Sequence, residues 1–542
     1  MRDDRTNRAT GLLIEVSEDG GSLYERLTSG IRAAIAEGRL APGHLLPPSR
    51  ALAAELGCSR WVVNEAYTQL AAEGSLQTRQ GSGTRVTAQP VTAQPVMAPP
   101  VTAPPVTAQP VMRNPDRAPA TRPAPSTPPV VADLRPGAPD VAAFPAPGWT
   151  RSLQHVLATA DWERSVFPPA EGAWRLREVV AAYLSRVRGL TVEPDEVLIT
   201  CGTSHGVSLV ARVLAARGVP SLAVEDPGWS RLHRVAAAAG LLTEPVAVDA
   251  EGLDVEALRR TDARAVLCAP AHQFPTGTAL SPTRRRALLA WAAERSSVII
   301  EDDYDAEFRY DRRPVGALAG LDRSHVVYLG SVSKTLHPGL RLGWLVPPPE
   351  LRQPLSDALD ATAAGPSTLD QLTFARLADT GGYDRHLRRV RKAYRARRDA
   401  LVTALGSHAV IRDCGPVDGI AAGLHLLVPL PRGLKDDVIA EHLAGRGIAT
   451  IALSDYATRR HPPALVIGYG RLAPSRAQWA AEQIAEVLLD ELNASSTGEL
   501  RPLPDPERTG HGRTTPPSLV RHVTAGPAGT GGRTAGRSPG GR

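Results

Sequence analysis

Gly330-Ser331-Val332-Ser333-Lys334-Thr335-Leu336 is the stretch from which the rest of the chain can be placed, and Glu301-Asp302-Asp303-Tyr304 precedes it. A lysine in a turn of small, hydroxyl-bearing residues can form a Schiff base with an aldehyde cofactor, while the hydroxyls hold a phosphate. An acid at the end of an upstream apolar strand can pair with a ring nitrogen of that cofactor. The alternative is a surface lysine and a strand-end acid. In this order the two segments predict a pyridoxal-phosphate site.

Short apolar strands alternate with Ala-, Leu- and Arg-rich helical stretches between residues 133 and 490. The strand patterns lie at 197–200, 221–224, 265–268 and 298–300, and helices are expected at 205–217 and 282–295. Residues 380–405 predict one long charged helix that leads into a smaller C-terminal lobe. This alternation is typical of an α/β sheet with mostly parallel strands.

The first 86 residues show a different pattern. Leu23, Leu27, Ile31 and Ile35 recur at helical spacing and predict one buried stripe. Two shorter helices follow, at 48–57 and 58–70, the first ending in a glycine and the second beginning at a serine N-cap. This spacing predicts a helix–turn–helix that offers the start of its second helix to a DNA major groove. Residues 76–86 predict a β-hairpin wing, and a helical bundle used only for dimerisation is the alternative.

Two segments predict no core of their own. Residues 87–131 repeat a five-residue unit, Val-Thr-Ala-Gln-Pro at 86–90, 91–95 and 106–110. Recurrent proline removes backbone donors and favours polyproline II geometry, so this semi-rigid linker could reach on the order of 100 Å. Residues 494–542 form a basic tail rich in Gly, Pro, Thr and Arg, for which we expect disorder.

Composition limits the remaining classes of function. The net charge is +6, but residues 1–86 hold ten Arg and ten acids, so DNA binding there must depend on a few placed arginines. The four cysteines have neither metal-ligand nor redox spacing, so we expect no metal site and a reducing compartment. No apolar run approaches the ~18 residues that span a bilayer, and we expect a cytoplasmic protein without a membrane partner.

Residues 20–86 resemble the winged helix–turn–helix domain of the GntR superfamily. The motifs are P-G-x-x-L-P-x-S-R at 42–50, L-A-x-x-L-G-x-S-R at 52–60, A-Y-x-x-L-x-x-E-G at 66–74 and G-S-G-T at 81–84. The family usually has a Thr-Val pair where this chain has Val62-Val63. The resemblance implies contacts with double-stranded operator DNA from Ser49, Arg50, Ser59, Arg60, Trp61, Asn64, Tyr67, Arg79, Gly81, Gly83 and Thr84.

Residues 132–493 look like a fold-type-I aminotransferase, with a small lobe at about 351–493. With the winged helix in front, the chain resembles the MocR-type regulators of the GntR superfamily. The resemblance implies that Lys334 forms the internal aldimine, Asp302 pairs with the pyridine nitrogen and Tyr304 reaches the phenolic oxygen. It implies phosphate or ring contacts from Thr203, Ser204, Trp229, Gln273, Ser331, Ser333 and Arg341.

Some implied contacts keep alternatives. Either His272 or Gln273, in the family's H-Q-F-P-T-G loop, would touch the cofactor. Arg231 would meet a ligand carboxylate, although a surface arginine, like a core Trp229, is also expected in such a fold. Aminotransferases usually grip the substrate carboxylate with a late-strand arginine, and here none occurs until Arg471. Relatives often have Tyr-Gly-Asp-Pro where this chain has Phe167-Pro168-Pro169-Ala170.

The expected fold is therefore multidomain, an α+β winged helix–turn–helix joined by a Pro-rich linker to an α/β aminotransferase-like domain. The expected function is a homodimeric, DNA-binding transcription regulator that binds pyridoxal phosphate and senses the cofactor or an amino compound. The alternative is an active aminotransferase with a residual DNA-binding domain.

Overall fold

The N-terminal domain is a three-helix unit with a small sheet. The computed structural model describes residues 22–36, 38–79, 83–87, 130–161, 168–310, 315–417 and 420–497. The domain consists of α1 (Leu23–Ala36), β1 (Leu45–Leu46), α2 (Ser49–Glu55), α3 (Arg60–Ala72), β2 (Leu76–Arg79) and β3 (Gly83–Val86). The strands pair in the order β1-β3-β2, all antiparallel. The stripe predicted on α1 is buried at Leu27, Ile31 and Ile35, so the winged helix–turn–helix is confirmed.

The large domain surrounds an eight-stranded sheet in the order β5-β12-β11-β10-β9-β6-β7-β8. Its strands are β5 (Leu198–Thr200), β6 (Ser221–Asp226), β7 (Leu242–Asp249), β8 (Gly252–Leu253), β9 (Ala265–Cys268), β10 (Val298–Asp303), β11 (Val326–Ser331) and β12 (Gly343–Val346). The central pairs are parallel, whereas β12 runs antiparallel to β11 and β5, and β8 runs antiparallel to β7. The mostly parallel α/β sheet is thus confirmed.

Helices cover both faces of this sheet, since the strands are buried on both sides. They are α4 (Ala146–Thr159), α5 (Trp174–Arg188), α6 (Thr203–Ala216), α7 (Ser230–Ala238), α8 (Val255–Arg259), α9 (Pro282–Arg295), α10 (Pro349–Thr362) and α11 (Thr368–Asp379). Parallel strands present their carboxyl ends at one edge, which is where ligands bind in such sheets. The predicted cofactor acid, Asp302, lies at that edge.

The small lobe begins later in the chain than predicted. It contains a three-stranded antiparallel sheet in the order β13-β16-β15. Its elements are α12 (Gly382–Gly406), α13 (Ala409–Arg412), β13 (His425–Pro429), α14 (Asp436–Gly445), β14 (Ile448–Ala449), β15 (Ile451–Ala452), β16 (Ala464–Gly468) and α15 (Ala477–Thr497). A start at 351 is wrong, because Leu351, Leu355 and Phe374 pack in the cores of the large domain.

The small lobe also takes in the first residues after the linker. β4 (Ala132–Asp133) pairs in parallel with β14, and Leu134 is fully buried in the small-lobe core. At the other end, α15 continues to Thr497, so residues 494–497 belong to this helix and not to the tail. The predictions for most of the linker and for the rest of the tail lie outside the described residues.

The winged helix contacts the large domain next to the end of α5. A Cβ placed on Gly189 would lie 3.1 Å from Cζ of Arg32, and one on Gly316 would lie 3.0 Å from Cδ of Glu73. Arg32 and Glu73 form a two-pronged ion pair with N–O distances of 2.9 and 2.6 Å. Backbone of the large domain therefore packs directly against a charged pair of the winged helix.

No helix in the described ranges combines the length and the apolar character needed to cross a bilayer.

Candidate functional site

Lys334 and Asp302 line one cavity at the carboxyl edge of the large sheet. Asp302 lies at the end of β10, and Lys334 lies in the turn that follows β11, the parallel neighbour of β10. Tyr304 and Trp229 line the same cavity. The structure thus brings together four side chains that come from three separate segments of the sequence, between Trp229 and Lys334.

The amine of Lys334 is held in place by backbone. Nζ donates a hydrogen bond of 2.5 Å to the carbonyl oxygen of Gly137. Burial lowers the pKa of Lys334, against the charges of Asp305 and Asp302, which raise it. A lowered pKa favours the neutral amine, the form that attacks a carbonyl carbon.

Asp302 has an unsatisfied oxygen. Oδ1 is buried without a hydrogen-bond partner among the described residues, and the side chain also interacts with Thr203. Burial, followed by the charges of Asp303 and Asp305, raises the pKa of Asp302 to about 7. A buried, unpartnered carboxylate oxygen is costly unless a cationic or donor group meets it. A protonated pyridine nitrogen would be such a group, so the residues fit pyridoxal phosphate.

The start of α6 offers backbone donors that suit an anion. Gly202 precedes the helix with φ +89°, and the first backbone amides of such a helix have no internal partner. Gly343 of β12 approaches so closely that an added Cβ would lie 2.7 Å from Cα of Gly202. The two glycines bring Thr203 and Ser204 to the end of the sheet where Ser331 and Ser333 lie. These are the groups predicted to hold the phosphate.

Arg341 lies near the same turn, at the surface. It is exposed and adopts a left-handed backbone with φ 48°. Burial, followed by the charges of Arg212 and Arg341, lowers the pKa of His205 in the first turn of α6. The positive charge of Arg341 therefore acts on the first turn of α6, while its side chain stays in solvent.

Several residues in the cavity wall were missed by sequence analysis. They are Gly137, Glu225, His233, Phe274 and Tyr456. Glu225 lies near the end of β6, so the rule that ligands bind at the carboxyl edge could have found it. No local signal marks Tyr456, which the small lobe contributes. Its carbonyl accepts a 2.9 Å hydrogen bond from the amide of Gly228.

Two of the predicted ligand contacts, Arg231 and Gln273, do not line the cavity. Arg231 is exposed on α7 and is not part of the cavity wall. The side chain of Gln273 is buried, donates to the carbonyl oxygens of Pro227 and Phe274, and accepts from Thr276. Its amide is therefore occupied by protein groups, and its neighbour Phe274 reaches the cavity instead. Among the described residues of the wall, none is arginine.

The late-strand region offers no substitute arginine in the cavity. Arg471 pairs with Asp133 at 2.9 Å, and its Nε donates to the carbonyl oxygen of Pro139. The position of Phe167 lies outside the described residues. A ligand carboxylate would therefore find no guanidinium in the described wall.

Behind Tyr304 lies a buried group of two histidines and an acid. Nδ1 of His272 is 2.9 Å from Asp305 Oδ2 and 3.3 Å from the hydroxyl of Tyr304, and the rings of His272 and His425 are 4.9 Å apart. The ligand atoms of His272, Asp305 and His425 lie within 4.8 Å of one another, a spacing that a metal ion could use. Gly423 packs against the group so tightly that an added Cβ would overlap the His272 ring. The contacts seen orient Tyr304 towards the cavity.

We expect the cofactor-free protein to lose stability as the pH rises from about 6.5 to 8. Burial raises the pKa of Asp302 and Glu301 to about 7 and that of Glu225 to about 8. The unfolded chain releases these protons at lower pH, so stability is complete below the ordinary values and is lost as pH passes through the folded ones. Below about 6.5 the effect is opposed by buried histidines such as His233, whose pKa burial lowers to about 4.

Denaturant unfolding at a series of pH values measures this change. Glu225→Gln cannot ionise and should flatten the dependence, and added cofactor should do so through Asp302. A free energy of unfolding that rises across this window would contradict the assignment.

The predicted DNA-contacting residues mostly share one exposed face of the winged helix. Arg50, Ser59, Arg60, Trp61 and Asn64 are exposed, and Trp61 is 63% accessible. Nε of Arg60 donates to the half-buried hydroxyl of Ser49 at 3.3 Å, which joins the starts of α2 and α3. These exposed side chains are therefore accessible to a partner surface.

Other predicted DNA contacts are corrected or lie outside the description. Tyr67 is buried in the domain core and its hydroxyl donates to the carbonyl oxygen of Pro47. Thr84 is buried, and its hydroxyl shares a hydrogen bond with that of Thr78. The side chains of Tyr67 and Thr84 are therefore not available to DNA. Gly83 is exposed in the wing. Gly81 and the side chain of Arg79 lie outside the described residues.

Comparisons with known proteins match both the winged helix–turn–helix and the aminotransferase-like region to known families. The profile of aminotransferase class I and II matches residues 131–449, and that of bacterial regulatory proteins of the gntR family matches 23–86. The pyridoxine biosynthesis regulator PdxR of Corynebacterium glutamicum is 32% identical, over 86% of this chain and 96% of that protein. The probable rhizopine catabolism regulator MocR of Rhizobium meliloti is 32% identical, over 83% of this chain and 90% of its own.

Solved aminotransferases share the fold of the large domain and small lobe. An archaeal alanine:glyoxylate aminotransferase superposes with a TM-score of 0.61 at 24% identity, over 66% of this chain and 91% of its own. The α-aminoadipate aminotransferase LysN of Thermus thermophilus superposes with a TM-score of 0.60 at 25% identity, over 67% and 92%.

Proposed function

Because the chain belongs to the MocR- and PdxR-type transcription regulators of the GntR family, with a class I and II aminotransferase domain, we propose that this domain binds pyridoxal phosphate at Lys334 and makes DNA binding depend on the cofactor or on an amino compound. The observation that carries the proposal is the single cavity in which Lys334 faces Asp302, whose Oδ1 has no protein partner.

Each group in the cavity has a role suited to this ligand. Lys334 would hold the cofactor through its aldehyde carbon, Asp302 would pair with the ring nitrogen, and Trp229 would pack on the ring. The turn from Gly202 to Ser204, with Ser331, Ser333 and Arg341, binds the phosphate. When bound, the cofactor supplies an electron sink for bonds next to an amine.

A ligand changes DNA affinity only when it binds two arrangements of the protein unequally. An amino compound that competes with Lys334 for the aldehyde would release this side chain from its bond. The small lobe would respond, because Tyr456 and β4 place it against the cavity and against the segment that holds Gly137.

A chain of buried contacts also leads from the cavity to the winged helix. Asp303, next to Asp302, pairs with Arg188 Nε at 2.5 Å, and both side chains are almost fully buried. Arg188 ends α5 and is followed by Gly189, against which Arg32 packs. A movement of Asp303 would therefore shift Arg188 and alter the contact between Gly189 and the DNA-binding domain.

The proposal is tested by titrating operator DNA with apo protein, cofactor-loaded protein and loaded protein with a panel of amines. Equal DNA affinity in all three states would reject the sensing role. Sequencing DNA that co-purifies with the protein supplies the operator for the experiment.

An active aminotransferase is the second candidate, favoured by the same pairing of Lys334 with Asp302. The 2-aminoadipate transaminase of Thermus thermophilus is 29% identical over 58% of this chain. The lack of arginine in the described cavity wall weighs against efficient grip of an amino-acid carboxylate. Rapid mixing with amino acids distinguishes the two, since single-turnover conversion of the cofactor without sequence-specific DNA retention would favour the enzyme.

We further propose a homodimer built by residues 132–493. Aminotransferases with this fold complete each cofactor site at a dimer interface, and two winged helices on one dimer would read two half-sites. The proline-rich linker would permit spacings beyond one helical turn and would penalise very short or very long ones.

Arg50→Ala and Arg60→Ala should each weaken operator binding while the cofactor absorption stays unchanged. Both side chains are exposed at the starts of adjoining helices, away from the cavity. Loss of a base contact costs about 1–3 kcal/mol and relaxes sequence preference, whereas loss of a phosphate contact weakens all sequences alike. Mobility-shift assays at two salt concentrations separate the two cases.

Arg39→Ala provides a matched control, because this arginine lies outside α2 and α3. Unaltered affinity in both test variants at either salt concentration would remove Arg50 and Arg60 from the interface.

A further inference from the structure

A second cavity, lined by positive charge, lies between α4, α11 and α12. Its volume is about 790 Å³ and it shares no lining residue with the cavity of Lys334. Arg151, Arg376, Arg385 and Arg389 line it together with His155 and His386, and none of its lining residues is acidic. A site of a few hundred Å³ with convergent cationic groups has the size and chemistry of a small-molecule site.

The four arginines lack acidic partners among the described residues. Arg385 donates to the carbonyl oxygen of Thr380 at 3.0 Å and Arg389 to that of Ala143 at 2.6 Å. Carbonyl groups orient a guanidinium without neutralising its charge. The guanidinium groups of Arg385 and Arg389 are therefore held in place, and no acid among the described residues pairs with any of the four arginines.

Nearby acids are engaged elsewhere. Asp379, at the end of α11, pairs with Arg175 at 2.7 Å, and Asp384, in the first turn of α12, pairs with Arg186 at 3.2 Å. Both partners belong to α5, which contributes no residue to the cavity wall. Like charges that line one cavity repel one another, so an anion with several charges would relieve the repulsion.

We propose that this cavity binds a small oligoanion, a molecule that carries two or more phosphate or carboxylate groups. Guanidinium forks suit these groups because they donate paired hydrogen bonds to two oxygens of one anion. A concave cavity between helices favours a small molecule over the phosphate backbone of duplex DNA.

The site has a direct contact with the lysine turn. His386 is 4% exposed, and its Nε2 donates to the carbonyl oxygen of Thr335, the residue after Lys334, at 2.6 Å. On its other side, Nη2 of Arg389 lies 3.4 Å from Nδ1 of His386. An anion bound to Arg389 would change the contact of this side chain with His386 and, through it, the hydrogen bond from His386 to Thr335. Binding of the anion in the cavity should therefore change the surroundings of Lys334.

Calorimetric titration of the full-length protein with inorganic pyrophosphate, and separately with citrate, tests the site. We expect binding of at least one of the two, with affinity reduced at least tenfold by combined Arg376→Gln and Arg389→Gln. Arg388→Gln removes one positive charge, against two in the combined variant, from the exposed surface of α12 outside the cavity and should change the affinity less than twofold. Circular dichroism melting confirms that each variant is folded.

Three outcomes would overturn the proposal: no heat with either anion, equal weakening by Arg388→Gln, or displacement of the anion by non-specific duplex DNA, which would make the cavity a nucleic-acid surface. The binding measurement needs no cofactor and is independent of the proposed function. The link to Lys334 rests on that function and predicts that pyrophosphate shifts the absorption of cofactor-loaded protein. An unchanged absorption at saturation would remove the link.

Discussion

Replacing Lys334 with alanine is expected to abolish the visible absorption of lysine-bound cofactor and to leave the fold intact. The lysine is the only one in the described cavity wall, its amine donates to the carbonyl oxygen of Gly137, and it is not part of the hydrophobic core of the large domain, so its removal should leave that core intact. The phosphate turn and Asp302 remain, and they should still retain the cofactor noncovalently, with lower affinity.

The lysine that carries the cofactor can be assigned without ambiguity, because the sequence contains only two other lysines, Lys392 and Lys435, both exposed. Borohydride reduction followed by peptide mapping should label Lys334 in the natural protein and in Lys392→Ala, and no lysine in Lys334→Ala. A reduced cofactor on Lys392 or Lys435 in that last variant would move the site elsewhere.

A chain that begins at residue 130 is expected to lose all operator binding while it stays dimeric and binds the cofactor. The described wall of the cavity is built from residues after 130, and the contacts of the winged helix with the large domain at Gly189 and Gly316 lie outside that wall. Light scattering, absorption spectra and mobility-shift assays measure the three properties.

A chain that begins a few residues later provides a control. A chain that begins at residue 137 also lacks β4 and the buried Leu134, so we expect a less stable small lobe and weaker cofactor retention. A monomeric 130–542 chain would reject the proposed dimer, and operator binding by that chain would reject the assignment of DNA recognition to the winged helix.

The elements with a strong local pattern could be predicted from sequence. The stripe on α1, the two helices after it and the alternation of strands and helices each depend on residues a few positions apart, and helical or strand spacing encodes them directly. The helix expected at 380–405 is observed as Gly382–Gly406. Lys334 and Asp302 could be identified because their neighbours restrict the backbone to one kind of turn and one kind of strand end.

The walls of the cofactor cavity were decided by the tertiary structure. Tyr456 and Gly137 lie in the same cavity wall as Lys334 only because the small lobe folds back on the sheet. The sequence around each of them contains no motif that predicts this role. Arg231, Gln273 and Tyr67 lie in expected motifs, yet one faces solvent and the others bond to nearby carbonyls. A motif specifies the backbone and the kind of side chain, but the direction and the partners of a side chain depend on which distant segments pack beside it, and sequence spacing does not contain that information.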